Sequence, residues 1–263
     1  MRRSMESVGR RTALLFASAL LPAQPAASQQ TPTFFIQSSF DAFHAAESGG
    51  SSVPAHGPAA TVRPIVGLTG AIPGDARLTL LGGASATRYA VTPTSNADSL
   101  FAMANLSKTI QEYRFGAVFL AANSRDPTFV TGVAKTYDTT LSVARTFTPA
   151  ALDGWSLTPQ LKAARRLADA EIVERWQLGA AIEASRPAFG GTFTIGGGYD
   201  WLDYLAEGRH DDKFSVSSSW LFDFNANVQY GLRAEASFSK SNLAGKSVDS
   251  FEIGPTVKIL FAK

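Results

Sequence analysis

Cysteine is absent from the 263-residue chain. This excludes a disulfide framework, a thiolate metal site and the lipid-modified cysteine of a lipoprotein. Charge is scarce as well: only 17% of the residues are Asp, Glu, Lys or Arg, against about 25% in an ordinary soluble domain. The 24 basic and 22 acidic residues nearly cancel to a formal +2, which leaves no clustered basic footprint for nucleic acid. Long apolar runs are missing too. The stretch from Thr12 to Leu21 (TALLFASALL) is about half of the roughly 20 residues a membrane-crossing helix needs.

That stretch follows Arg2, Arg3, Arg10 and Arg11 and precedes the small-residue segment PAQPAASQQ. Basic start, short apolar centre and small-residue exit make residues 1–28 an expected export signal, cleaved near Ala27 or Ser28. The remaining residues, 29–263, are expected to form one domain outside the cytoplasm.

What the sequence does have is alternation. From Val228 to Ser239 one face carries Val228, Tyr230, Leu232, Ala234, Ala236 and Phe238, and the other Gln229, Gly231, Arg233, Glu235, Ser237 and Ser239. A period of two over that length is a strand with one apolar and one wet face, about twice as long as the usual globular strand of roughly 5–6 residues. The same period recurs in FSVSSSWLFDF, SFEIGPTVKILF, RWQLGAAIEA and WSLTPQLKA. Strands are expected near 33–43, 61–70, 76–89, 98–109, 112–122, 136–147, 154–166, 171–185, 189–203, 212–224, 227–240 and 247–261. The segment 33–43 (TFFIQSSFDAF) is the least regular and reads equally as a plug or tail. Residues 45–60, rich in Ala, Ser, Gly and Pro, read as a flexible low-complexity loop. Long and short connections alternate along the chain, which places them on opposite ends of a sheet.

Segments of this length match a tilted strand that crosses a bilayer, about 9–11 residues, with lipid-facing and lumen-facing positions alternating. In lipid every backbone group must be paired, so such a sheet closes. A secreted β-sandwich would show shorter strands with turns every 8–12 residues or so. The expected fold is therefore all-β, an antiparallel up-and-down transmembrane barrel of about twelve strands, 10–14 being admissible. Aromatic residues near strand ends, Trp155, Tyr199, Trp201, Tyr204, Trp220, Phe222, Phe224 and Phe261, are candidates for interfacial girdles.

The C-terminal third, GRHDDKFSVSSSWLFDFNANVQYGLRAEASFSKSNLAGKSVDSFEIGPTVKILF, resembles the closing strands of Gram-negative outer-membrane barrels, particularly the β-barrel porins and the barrel of surface lipoprotein assembly modifiers. In those families a charged turn with Arg and Asp opens a strand, a later strand ends in Ser-Asn, and the last finishes in Phe. The matching positions are Arg209, Asp211, Asp212, Ser241, Asn242, Asp249 and Phe261. The resemblance implies residence in the outer membrane, contact with its lipid, and insertion by the barrel assembly machinery, which reads a terminal aromatic. Here the chain ends LFAK, so that aromatic lies two residues inside. No room is left before the first strand for the helical-repeat domain of the assembly modifiers, which weakens a transfer of their role.

A barrel of this size is wider than one packed solid with eight strands and narrower than an open porin of about 16–18, so a narrow polar lumen is expected. The inward candidates are Lys162, Arg166, Arg175, Gln177, Glu183, Gln229, Arg233, Glu235, Glu252 and Lys258, of both signs. They read as the lining of a path for small polar or ionic solutes, or as ion pairs that fill the interior. The alternative roles are a barrel for export or surface display of a protein or lipoprotein, and a structural barrel with no conducting lumen.

Catalysis finds little support. His210, Asp211 and Asp212 form the one His-carboxylate group, and neighbours on a strand point to opposite faces, which weakens both a general base and a metal site. No GxSxG is present, and no helix pattern follows the glycines of GGGYD as a phosphate cradle requires. Neither a cofactor nor a metal is expected. Solute, client and oligomeric state are not encoded in any visible motif.

Overall fold

The computed structural model describes residues 32–49, 55–93, 96–125, 132–169, 171–206 and 208–262. These form twelve strands: β1 (Thr33–Gly49), β2 (His56–Ile72), β3 (Ala76–Tyr89), β4 (Ala97–Ile110), β5 (Tyr113–Arg125), β6 (Gly132–Arg145), β7 (Ser156–Ala168), β8 (Arg175–Ala188), β9 (Gly191–Tyr204), β10 (His210–Asn225), β11 (Val228–Ser241) and β12 (Val248–Ala262). Each strand pairs antiparallel with its chain neighbours, and β1 pairs with β12 to close the barrel. The segment 33–43 is thus the closing strand, running from Phe35 opposite Ala262 to Gly49 opposite Val248. The expected signal at 1–28 lies outside the described residues.

Connections at the end carrying Thr33 and Ala262 are tight, apart from that between β6 and β7. Between β8 and β9 only Phe189 and Gly190 turn the chain, at φ 49° and 77°. Positive φ at both central residues gives the turn whose twist matches a right-handed hairpin, and Gly190 adopts it without steric cost. The exposed Phe189 ring rests edge-on against Trp220, with centroids 5.9 Å apart.

Two expectations about boundaries are corrected. The segment 45–60 is strand over Ala45–Gly49 and from His56 onward, and residues 50–54 lie outside the described residues. Its small residues are packing rather than slack: Ala45, Ala55 and Ala59 are buried with Tyr89 and Phe43, and the Glu47 carboxylate accepts the Ala55 N–H at 2.9 Å. In the segment 171–185, the strand starts only at Arg175. Glu171–Val173 is a 3-10 turn, held by Glu174, whose carboxylate accepts the Ala168 N–H and pairs with Arg165.

The outer surface is apolar. Phe40, Val66, Leu100, Leu141, Leu178, Ile182, Leu232 and Ile253 are all exposed there, while their immediate strand neighbours, of the opposite parity, are buried or half-buried apart from Glu183. Such a surface would be costly in water, and it is the arrangement of a barrel that stands in lipid. The inner face divides in two. Along β1–β5 a cluster of Phe35, Ile65, Phe101, Leu120 and Ala122, joined by Leu81, Met103 and Leu260, fills the interior. Gly67 and Gly83 make room for its rings: a Cβ at either would lie 2.4 Å from Phe35 Cζ or 2.7 Å from Phe101 Cζ. Most of the remaining inner face, including Asp41 of β1 and Arg63 of β2, carries charged, hydroxyl and glycine residues.

Candidate functional site in the barrel interior

On β11 the parity that points inward carries Gly231, Arg233, Glu235 and Ser237, against exposed Tyr230, Leu232 and Phe238. Arg233 is the hub of one ion cluster. Its guanidinium lies 3.8 Å from Asp41 on β1, 3.5 Å from Glu235 and 3.7 Å from Glu252 on β12. The residue opposite Arg233 is Gly254, where a Cβ would sit 1.9 Å from the Ala42 carbonyl oxygen. The missing side chain lets Arg233 reach across β12 to β1.

A second cluster spans β6–β10. Arg166 grips Asp138 with two parallel bonds, Nε at 2.7 Å and Nη2 at 2.8 Å, the fork geometry that makes an Arg–carboxylate pair specific. Lys162 on β7 reaches Asp200 on β9 at 2.9 Å, crossing over Gly179 of β8, which pairs with both. A Cβ at Gly179 would fall 2.0 Å from Asp200 Oδ1 and 2.5 Å from Lys162 Cε. Arg209, just before β10, pairs with buried Asp211. Arg175 is 8% exposed; its Cζ lies 5.5 Å from the Tyr204 ring centroid, and its Nε has no hydrogen-bond partner among the described residues.

The other inward candidates sit apart from these clusters. Gln177 is half-buried between exposed Trp176 and Leu178. Glu183 has the same parity and is exposed. Gln229 donates to Asp223 at 2.7 Å near the end that carries Thr33 and Ala262. Lys258 is half-buried opposite Gln229 on one side and Ser39 on the other. Sequence reasoning missed Asp41, Arg63, Asp138, Asp200, Arg209, Asp211 and Lys213 as interior groups. For Lys213 the signal was present, because it shares its face with Ser215 and Ser217 while Phe214 and Val216 face out.

Among the aromatic candidates, Trp220, Phe222 and Tyr230 form a contiguous outer row with centroids 4.6 and 5.4 Å apart. Exposed Phe224 and Phe261 lie at the same end of the barrel. Trp155 joins them there, edge-on to Phe193 at 6.1 Å with Arg186 over its ring. Tyr199 and Trp201 share the outer face of β9, and the Tyr199 hydroxyl donates to Asp212. Tyr204 is corrected: it is 7% exposed on the inner face, with the Arg175 and Arg209 guanidiniums over its ring. Two cations stacked on its ring supply the attraction that a membrane interface would otherwise provide.

The HDD group is dispersed by the strand. Asp211 points inward to Arg209, Asp212 outward to Tyr199, and His210 is exposed, its N–H donating to Asn242. No cluster of three His, Cys, Asp or Glu able to hold a metal occurs among the described residues.

Beside the Arg233 cluster and toward the end opposite Thr33 and Ala262, the interior opens into a cavity of about 160 Å³, bounded by Asp41, Tyr89, Arg175, Tyr204, Lys213 and Glu252 among others. No protein-family model and no curated protein sequence matches the chain. Solved structures do. An outer-membrane channel from Pseudomonas putida F1 aligns over 91% of this chain and all of its own, with TM-score 0.53 at 14% identity. The KdgM porin covers 84% of this chain and 98% of its own, with TM-score 0.49 at 12% identity. The β domain of the Bordetella autotransporter BrkA covers 88% and 99%, with TM-score 0.49 at 9% identity. The first of these supports what the strand pairing gives independently: the chain has the closed antiparallel fold found in an outer-membrane channel.

Proposed function

We propose that the protein resides in an outer membrane, inserted there by the barrel assembly machinery, as a passive channel for small polar or ionic solutes. The reading rests on the division of the barrel into an apolar outer face and an inner face of ions, hydroxyls and glycines opening into a cavity. Charged groups inside a pore replace hydration and select among solutes. The apolar cluster on β1–β5 narrows the lumen to the polar side, so solutes pass along β6–β12. Outer-face aromatics near the strand ends serve as interfacial anchors in this reading.

The test is conductance in a planar bilayer, on protein whose gel mobility shifts on boiling as a folded barrel's does. Stable current steps are expected. A folded, inserted barrel that stays silent across the voltage range would remove the channel reading.

A further inference from the structure

Apart from the Arg209–Asp211 pair, the upper interior along β6–β10 holds more cations than carboxylates. Four cations of β7, β8 and β10 (Lys162, Arg166, Arg175 and Lys213) meet two inward carboxylates of β6 and β9, Asp138 and Asp200. Arg166 takes both oxygens of Asp138, and Lys162 takes Asp200. The other carboxylate near Lys213, Glu235, is engaged by Arg233. Among the described residues Arg175 and Lys213 therefore have no carboxylate at ion-pairing distance, and Arg175 Nε has no acceptor. Both line the same cavity. A buried guanidinium with an unmet N–H is costly unless something supplies the acceptor.

The rest of the cavity wall tells what the acceptor is attached to. Phe43, Tyr89 and Leu202 border the same space, and buried Ala45, Ala55 and Ala59 back it. Of the five carboxylates on the wall, Asp211 pairs with Arg209, Glu47 accepts the Ala55 N–H, and Asp41, Glu235 and Glu252 share the one guanidinium of Arg233 on the side of the cavity away from Arg175. A cavity of about 160 Å³ is smaller than the roughly 300–1,000 Å³ that holds a drug-sized ligand.

We propose that this cavity is a binding subsite for a small organic monoacid, its carboxylate on Arg175 and Lys213 and its short apolar body against Phe43, Tyr89 and Leu202. An Arg fork receives a carboxylate bidentately, and a neighbouring ammonium adds charge without imposing a direction. Arg209, fixed by Asp211 and stacked on Tyr204, holds the ring against which Arg175 lies, and so positions that guanidinium. The subsite deepens the channel reading by naming its solute class, but binding at the cavity does not depend on conduction.

The experiment is calorimetric titration of the folded, detergent-solubilised full chain with benzoate and, separately, with benzylammonium, its charge-inverted match in shape. Benzoate should bind and benzylammonium should not. In Arg175→Gln/Lys213→Gln the benzoate affinity should fall by at least about tenfold, the worth of one charge-assisted hydrogen bond, while outward Lys240→Gln leaves it unchanged. Arg175→Lys, which keeps the charge and loses the fork, should fall between; it also serves if the double variant fails to shift mobility on boiling. Equal binding of the two probes, no benzoate binding by the unaltered chain, or variants that bind as well as it does would each overturn the subsite. Conductance on the same preparations separates the two ideas: benzoate binding in a silent barrel keeps the subsite and removes the channel, and a conducting barrel indifferent to benzoate does the reverse.

Discussion

At the scale of single residues, the interior depends as much on missing side chains as on charged ones. Gly179 and Gly254 each lie beneath an ion pair that crosses a strand, Lys162–Asp200 and Arg233–Asp41. Gly179→Val would place its first carbon inside the Lys162–Asp200 bridge, costing about 1–3 kcal/mol through overpacking and separating the ions. Gly197→Ala, whose Cβ would meet only ordinary contacts with the nearest atom at 3.8 Å, should stay within about 0.5 kcal/mol of the parent. Urea midpoints followed by tryptophan fluorescence in vesicles will rank the two. Arg233 is the complementary case, one cation within 4 Å of three carboxylates. Arg233→Met leaves those carboxylates facing one another and is expected to lose about 2–3 kcal/mol. Arg233→Met/Glu252→Gln, with one charge fewer, should recover part of that. A double variant no more stable than the single would show that Arg233 acts through packing rather than charge.

At the scale of strands, the two halves of the barrel differ in how openly the sequence announces them. From β7 to β12 the inner face is polar and the outer apolar, so the alternation names both faces. From β1 to β5 part of the inner face is apolar as well, and there the sequence shows doublets: Phe34 and Phe35, Leu80 and Leu81, Leu100 and Phe101, Phe119 and Leu120, the first of each exposed and the second turned inward. The doublets erase the period, which is why 33–43 reads as irregular although it closes the barrel. Parity gives a residue's face but not its partner: Lys162 and Asp200 are 38 residues apart, joined only by register through β8. Tyr204 was misread for a related reason. Its parity matches Gly196 and Gly198 rather than Tyr199, but position near a strand end suggested a girdle. The apolar half also carries a prediction of its own. Phe101→Ala should destabilise the barrel by about 3 kcal/mol and, by clearing the β1–β5 side of the lumen, raise single-channel conductance. Unchanged conductance in a folded Phe101→Ala barrel would place the conducting path away from that cluster.

At the scale of the whole molecule, one property connects fold to membrane: the same closed sheet presents a solvent-like face inward and a lipid-like face outward, so neighbouring residues on one strand live in different media. Ile182 and Glu183 sit at the middle of β8. Ile182 is 50% exposed on the outer face, and Glu183 has the inner parity with Gln177 and Gly179. An Arg at a lipid-facing midplane position costs about 2–4 kcal/mol, whereas substitutions in the lumen alter selectivity instead. Ile182→Arg is therefore expected to lose about that much stability when folded into vesicles, and to leave ion preference untouched in whatever fraction inserts. Glu183→Arg should fold as the parent does and move the reversal potential toward anions in a salt gradient, since it replaces an inner carboxylate with a cation. A soluble barrel would treat the two alike, because both positions would face water or packed protein. Equal stability losses for Ile182→Arg and Glu183→Arg would thus contradict the membrane placement itself, independently of whether the lumen conducts.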